Sequence, residues 1–264
     1  MWRWAAIAGL LAAAPTSSTP AAQATSAVEH LRVEVLASYP HDTEAFTQGL
    51  ELHDGVLYEG TGRYGESDLR TVEVRTGEVR DRVALPDAVF GEGITVVGNR
   101  IWQLTFQEEF AFLRDRRTLA ETDRAEYTGE GWGLCHDPAR HRLVMSDGTS
   151  QLTFRDPETF DRLGSVAVTQ EGEPLTQINE LECAGGKVWA NIWMTDKIVR
   201  IDPGTGTVEA VVDASGLLSE SERAGADVLN GIAAVPRTDT FLITGKLWPR
   251  MFRVRFSEAR SAPL

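Results

Sequence analysis

Hydrophobic and polar residues alternate in short runs along most of this chain, which is typical of β-strands buried on one face. The first such run lies at 31–36, and clusters of Gly, Pro, Asn and Asp separate it from the runs that follow. A parallel α/β fold would need helical stretches of ten or more residues between its strands, and none appear between these runs. The pattern therefore predicts an all-β fold.

The runs are grouped into five similar units. Each unit opens with a short motif just before an apolar run, and the residues at the shared opening position are Gln48, Glu92, Trp132, Asn179 and Asn230. These positions are 44, 40, 47 and 51 residues apart, and a turn signal follows each after six or seven residues. Further β-rich runs complete each unit. Four short strands repeated at this period are the sequence signature of a β-propeller.

The fifth unit lacks its last strand. Its sequence runs out after the β-rich run at 251–256, and the lone run at 31–36 can supply the missing strand and so remove an exposed sheet edge. We therefore predict a five-bladed β-propeller with four-stranded blades, closed by the N-terminal strand. A single domain should cover residues 25–264, and the helical-looking stretch 219–226 falls between the fourth and fifth units.

The net charge argues against some classes of binding partner, and the N-terminal residues predict the compartment in which the protein is found. A net charge of −13 argues against nucleic acid and anionic membranes as partners. Residues 1–24 have the pattern of a cleavable signal peptide, with Arg3, an apolar run at 4–14 and a small-residue cleavage site ending at Ala24. We predict a periplasmic or secreted protein that begins near Thr25, and we expect a monomer.

Cysteine and histidine residues give no ligand pattern. Cys135 and Cys183 are the two cysteines, and an oxidising compartment permits a disulfide between them, although two buried free thiols fit the sequence equally well. The five histidines lie in the lead-in or in turns, without the spacing of metal ligands. We predict no cofactor and no catalytic metal, and leave open a structural Ca²⁺ in the central channel.

The predicted topology brings one set of residues together. Each first strand lies nearest the channel and the second strand runs back antiparallel, so opening residues and second-strand ends meet at one mouth. The residues expected there are Phe46, Gln48, Phe90, Glu92, Phe106, Trp132, Asn179, Trp193, Asn230 and Lys246. Few polar groups inside an aromatic wall are typical of a small-ligand site. Trp102 and Trp189, in the middle of strands, are assigned to packing.

Glu92 is the one opening residue that can readily move protons. Each candidate also has a structural interpretation: Glu92 could bind loop amides, Asn179 and Asn230 could cap turns, and Trp132 could belong to the core. The expected convergence at one rim favours the functional interpretation.

Six motifs together resemble the glutaminyl-peptide cyclotransferases of plant and bacterial type, over about residues 40–256 and in the family's order. They are Phe46-Thr47-Gln48-Gly49-Leu50, Phe90-Gly91-Glu92-Gly93, Glu130-Gly131-Trp132-Gly133-Leu134, Asn179-Glu180-Leu181-Glu182, Trp189-Ala190-Asn191-Ile192-Trp193 and Gly245-Lys246-Leu247-Trp248-Pro249. The resemblance implies a five-bladed propeller that converts the N-terminal glutamine of peptides and proteins to pyroglutamate and releases ammonia. It also implies that the catalytic acid/base is Glu92.

The same resemblance implies that the substrate pocket includes Phe46, Gln48, Phe90, Trp132, Asn179, Trp193 and Lys246. Phe106 departs from the family, which usually has Trp at that position, so the wall stays aromatic but loses an indole N–H. The chemistry agrees with these assignments, because ring closure is intramolecular and needs a held conformer, a proton shuttle and donors such as Lys246, Asn179 or Gln48 for the oxyanion.

Two other function classes remain open from the sequence. A non-catalytic propeller could bind a peptide in the same mouth, and then Glu92 could become Gln without loss of function. A metal-dependent propeller hydrolase, such as a lactonase, would need several carboxylates around one cation, whereas the opening positions supply one Glu, two Asn and one Gln.

Overall fold

The computed structural model describes residues 1–2 and 27–258, so the predicted signal peptide lies almost entirely outside the described residues. Within the described part, the chain is built from twenty-two β-strands, one short α-helix and one 3₁₀ turn at Pro138–Arg140. The all-β prediction is confirmed. No helix in the described part is long and apolar enough to cross a bilayer.

The first two units are separate four-stranded antiparallel sheets in which sequence neighbours pair. The strands of the first unit are β2 (Thr47–His53), β3 (Val56–Thr61), β4 (Asp68–Glu73) and β5 (Glu78–Ala84). The strands of the second unit are β6 (Gly91–Val97), β7 (Arg100–Thr105), β8 (Phe110–Asp115) and β9 (Glu121–Glu126).

The third unit repeats this arrangement, and a two-stranded hairpin follows it. The strands of the third unit are β10 (Leu134–Asp137), β11 (Arg142–Met145), β12 (Gln151–Arg155) and β13 (Arg162–Ala167). The hairpin consists of β14 (Thr169–Gln170) and β15 (Glu173–Pro174).

The remaining strands form one eight-stranded sheet, which differs from the expected pair of separate sheets. The fourth unit contributes β16 (Ile178–Ala184), β17 (Lys187–Ile192), β18 (Lys197–Ile201) and β19 (Val208–Asp213). The fifth unit contributes β20 (Leu229–Ala234), β21 (Thr240–Gly245), β22 (Arg250–Glu258) and the N-terminal β1 (Glu29–Pro40). The helix α1 (Glu220–Arg223) lies between the two units, as the sequence predicts, and Ser219 caps it.

The N-terminal strand completes the fifth unit, as predicted. β1 pairs antiparallel with β22 from Leu31 opposite Glu258 to Pro40 opposite Arg250. Its first four residues also pair in parallel with β19, from Glu29 opposite Ala210 onwards. The sequence pattern did not indicate this second pairing, which joins the outer edges of the fourth and fifth units into one continuous sheet.

Hydrophobic clusters fill the spaces between consecutive units. Each of the five larger clusters combines buried residues of two neighbouring units, and the fifth unit shares one with the first. Trp102 and Trp189 are buried in these clusters, so their assignment to packing is confirmed. The first and second strands are mostly buried, as the patterns of β6 and β7 illustrate. The fourth strands are largely exposed, as β9 illustrates, with the exception of β19.

The first strands of the five units contact one another in a closed cycle, from β2 through β6, β10, β16 and β20 back to β2. Glycine makes this approach possible at three of the contacts, and at the first of them a Cβ on Gly49 would lie 2.5 Å from Ile94 N. A Cβ on Gly93 would lie 2.6 Å from the carbonyl oxygen of Trp132, and a Cβ on Gly133 would lie 2.1 Å from that of Asn179. Any larger residue there would push neighbouring units apart.

A glutamate replaces glycine at the corresponding position of the fourth unit, and its role was missed in the sequence. The Glu180 side chain is buried, and its two carboxylate oxygens accept hydrogen bonds from Leu50 N at 3.2 Å and Ile232 N at 2.8 Å. Glu180 therefore joins the first strands of three units. Burial, with Glu182 nearby, raises the pKa of Glu180 well above its usual value.

Cys135 and Cys183 form a disulfide, so the alternative of two free thiols is wrong for this structure. The bond links β10 to β16, the first strands of the third and fourth units. It closes a loop with a sequence separation of 48 residues, and on a chain-entropy model such a crosslink stabilises the fold by about 4 kcal/mol.

Deleting residues 25–37 should destabilise the whole domain, because β1 pairs with both β19 and β22. Relative to a chain that begins at Thr25, we expect the melting temperature to fall by about 10 °C or more in a single transition. Differential scanning calorimetry measures this. Equal melting temperatures for the two chains would show that β1 is dispensable for closure.

Glu180→Ala should leave two buried N–H groups without an acceptor and lower the free energy of unfolding by about 2–6 kcal/mol. Urea unfolding measures the loss, and Glu180→Gln, which keeps one acceptor, should lose less. Because the pKa of Glu180 is raised in the folded state, its contribution should be full below the usual carboxyl pKa and decline as the pH rises. A variant with wild-type stability and the same pH dependence would contradict this role.

Candidate active site

The opening residues and the ends of the second strands meet at one mouth of the ring, where they line a cavity of about 300 Å³. Nine of the ten predicted site residues line it, and Asn230 is the exception. The lining residues are Phe46, Gln48, Phe90, Glu92, Phe106, Trp132, Asn179, Trp193, Met194, Asp227 and Lys246.

β-Bulges turn the opening side chains toward this mouth. In four units the pairing of the first two strands shifts register around the opening residue, for example between Thr47 and Gly49 and between Gly91 and Ile94. A bulge leaves a residue outside the ladder and re-aims its side chain. The same local irregularity therefore places Gln48, Glu92 and Asn179 at the cavity.

The loops between second and third strands form the rim, and each contains at least one residue in the left-handed conformation. These residues are Arg63, Gly65, Glu109, Gly148, Met194 and Leu247. For residues other than glycine such a conformation carries some strain, which a rigid framework can hold at a binding site.

Glu92 lies almost fully buried at the base of the cavity, with 4% of its surface exposed. One carboxylate oxygen accepts a hydrogen bond from Gln48 Nε2 at 3.0 Å. The other oxygen is buried and has no hydrogen-bond partner among the described residues. Burial raises the pKa of Glu92 well above its usual value, Lys246 lowers it, and the carboxylates of Glu130 and Glu108 raise it further.

Asn230 supports Gln48 from below instead of facing the cavity. Its side chain is fully buried, and Nδ2 donates to Gln48 Oε1 at 3.3 Å and to the Thr47 carbonyl at 3.0 Å. The prediction that Asn230 contacts substrate is therefore corrected. The bond to Thr47 anchors the Asn230 amide, and the bond to Gln48 Oε1 orients the Gln48 amide so that its NH₂ group faces Glu92.

Lys246 and Asn179 supply the other polar groups of the cavity. Lys246 is 4% exposed, and its Nζ lies 4.7 Å from the centroid of the Phe46 ring. Burial lowers the pKa of Lys246, whereas Glu92 and Asp227 favour its charged form. Asn179 is 3% exposed, and its Oδ1 is a buried acceptor with no donor among the described residues.

Aromatic rings form the walls. Phe90 packs at 6.3 Å from Phe46 and 5.6 Å from Phe106, and Trp132 meets Trp193 edge to face at 5.6 Å. These rings keep water from the carboxylate of Glu92, which is the main physical cause of its raised pKa.

Three residues at this mouth were not predicted from the sequence. Met194 and Asp227 line the cavity, and Tyr64 packs on Phe90 at 5.4 Å. Met194 directly follows Trp193 just after the end of β17, so the sequence position of Met194 could have indicated that it lies at the mouth. Asp227 lies in the connection before β20, where the repeat gives no equivalent residue for comparison.

A second cavity of about 750 Å³ lies between the fourth and fifth units, against β1. Trp189, Phe241 and Phe256 line part of it, and none of the predicted site residues does. Within the described residues, no group of three or more His, Cys, Asp and Glu side chains could hold a metal ion. Nine of the ten site residues predicted from the sequence thus line the cavity around Glu92 and none lines this second one.

The arrangement combines a carboxyl group with a raised pKa, a buried ammonium and an amide with a free acceptor. A carboxyl group in such surroundings can take up and return a proton near neutral pH. The ammonium of Lys246 can stabilise a negative charge that develops on a bound oxygen. The cavity is large enough for one side chain of a peptide, and it opens to solvent beside Trp193 and Met194, which are 37% and 67% exposed.

Known proteins resemble this chain in sequence and in structure. A family model described as Glutamine cyclotransferase matches residues 7–256. Glutaminyl-peptide cyclotransferase of Arabidopsis thaliana is 39% identical over 234 residues, which cover 86% of this chain and 72% of that relative. The crystal structure of Myxococcus xanthus glutaminyl cyclase matches with a TM-score of 0.79 and 39% identity, and covers 88% of this chain and 99% of its own.

Proposed function

The chain belongs to the glutamine cyclotransferase family, and on this premise we propose that it cyclises N-terminal glutamine with Glu92 as the proton shuttle. The protein is an enzyme that acts on peptides or proteins with an N-terminal glutamine and releases ammonia. The observation that carries the assignment of Glu92 is its buried carboxylate, which faces an aromatic cavity and has one oxygen without a hydrogen-bond partner in the described part of the chain.

The reaction closes a five-membered lactam within one residue. The α-amine nitrogen of the substrate bonds to its own γ-carboxamide carbon, and the bond from that carbon to the amide nitrogen breaks. The amine loses one proton and the leaving group gains one, so a single carboxylate can carry the proton between them. The unpartnered oxygen of Glu92 is the atom to which we assign this transfer.

The neighbouring polar groups have separate roles. Gln48 holds the first carboxylate oxygen of Glu92, and Asn230 fixes Gln48. The free acceptor of Asn179 can receive an N–H of the substrate, and Lys246 can stabilise the oxyanion that forms at the carboxamide carbon. The aromatic walls hold the folded conformer, and holding it is most of what an intramolecular reaction requires.

We propose that the five units are the blades of a β-propeller. The closed cycle of first strands and the five clusters between consecutive units support this arrangement. The match to a glutaminyl cyclase structure supports it too. The parallel pairing of β1 with β19 would then be a link between two blades at their outer edges.

Neither alternative function is supported by the comparisons. A lactonase-like site would gather carboxylates around a cation, but here the charged group that acts most strongly on Glu92 is the ammonium of Lys246. The carboxylate of Glu180, near the axis, has both oxygens on backbone N–H groups and offers little to a structural Ca²⁺. Catalysis without a metal, export after cleavage near Ala24 and a monomeric state are further parts of the proposal.

Glu92→Gln should lower kcat for a Gln-initiated peptide by about 10²–10⁴-fold, because the amide keeps the size of the side chain but cannot take up the proton. An ammonia-release assay measures the loss, and the melting temperature should stay near that of the wild type. Glu126→Gln, on the exposed β9, is the control and should leave kcat unchanged. Normal kcat in Glu92→Gln would end the proton-shuttle assignment.

The pH profile gives a second readout of Glu92. Its raised pKa should produce an acidic limb on kcat/KM above pH 4.5, the usual carboxyl value, with activity rising as the carboxylate ionises. The α-amine of the substrate adds its own limb at about pH 7.7–8.0, and a substrate whose amine has another pKa separates the two.

Trp193→Ala should raise KM for Gln-initiated peptides by about 10-fold, equivalent to about 1.4 kcal/mol, because it removes one wall of the cavity. Trp102→Ala is the matched control, since that indole is buried between the second and third units. The Trp102→Ala substitution should lower the free energy of unfolding by about 3–5 kcal/mol, but the folded fraction of this variant should keep the wild-type KM. Equal KM effects would mean that Trp193 belongs to the core.

A further inference from the structure

Glu130 holds the indole of Trp132 without lining the cavity itself. One oxygen of its carboxylate accepts a hydrogen bond from Trp132 Nε1 at 3.0 Å. The other accepts one from Gln107 Nε2 at 2.8 Å, so a residue of the second unit orients the carboxylate. Glu130 is half-buried, and both of its oxygens are used.

The remaining sides of the same indole are confined as well. Trp193 meets it edge to face at 5.6 Å, and a Cβ on Gly148 would lie 2.6 Å from its ring carbons. Gly148 therefore leaves a slot into which the indole fits. The bond to Glu130 fixes the one polar atom of the ring, and with it the angle at which the ring faces the cavity.

We propose that Glu130 is a positioning residue of this reaction, which holds the indole of Trp132 against the glutamine side chain of the substrate. The inference rests on the proposed function. A freely turning indole would leave the wall of the cavity incomplete and bind the folded substrate conformer less well. Removing Glu130 should therefore raise KM more than it lowers kcat at optimal pH.

Glu130 also contributes its charge. The charged groups that act on Glu92 are Lys246, which lowers its pKa, and Glu130 and Glu108, which raise it. Removing the charge of Glu130 should move the acidic limb of kcat/KM to lower pH. Glu108 is a matched comparison, because it acts on Glu92 but makes no bond to Trp132.

The test is a double-mutant cycle with Glu130→Ala and Trp132→Phe, measured as KM for a Gln-initiated peptide. Glu130→Ala should raise KM about 10-fold in the wild-type background and by less than about 2-fold when residue 132 is Phe, which has no indole N–H to hold. Glu130→Gln keeps an acceptor and should restore most of KM while retaining the shift in the acidic limb. Glu108→Gln should shift the limb and leave KM unchanged.

Equal KM effects of Glu130→Ala in both backgrounds would overturn the proposal, and so would an unchanged KM. Near-ultraviolet circular dichroism follows the indole of Trp132 without any substrate. Glu130→Ala should change the part of the spectrum that Trp132→Phe removes, and an unaltered spectrum would also overturn the proposal. Failure of the proposed function is distinct, because the wild-type protein would then release no ammonia from the peptide.

Discussion

The first strands of the five units converge in one ring, and their backbones approach one another too closely for ordinary side chains. Gly93 donates its N–H to the Trp132 carbonyl at 2.8 Å, a contact that a Cβ would prevent. Where glycine is missing, Glu180 accepts two backbone N–H groups that would otherwise be buried without partners. The cavity depends on these contacts, because residues next to them in sequence form its base.

Removal of water has two effects in the cavity. It raises the pKa of Glu92 and lowers that of Lys246, while the attraction between the two groups opposes both shifts. The two pKa values move toward each other, which suits a carboxyl group that must accept a proton and return it within one turnover. In the proposed function, the aromatic walls and the ammonium of Lys246 provide the affinity for an amide side chain, and the carboxyl group of Glu92 provides the acid–base chemistry.

Most of the fold follows from periodicity, because alternation defines strands and a constant interval between opening residues defines units. Two features could not be predicted in this way. The parallel pairing of β1 with β19 leaves no mark on the alternation of either strand. The bond between Cys135 and Cys183 depends on how neighbouring first strands align, and the sequence carries no signal for that. Glu180 follows the opening residue of the fourth unit, where the other four units have glycine, but the sequence does not show which backbone N–H groups its carboxylate binds.

The site follows from the repeat for a related reason. If five units present equivalent positions at one mouth, the chemically distinct member identifies itself, and Glu92 is the only carboxylate among the five. The repeat gives position but not orientation, so Asn230 was expected in the cavity and instead lies beneath Gln48. An amide side chain can bind a substrate or a neighbour equally well, and only the packed structure decides which. The opening position is thus used in two ways, to line the cavity in four units and to orient one of the lining residues in the fifth.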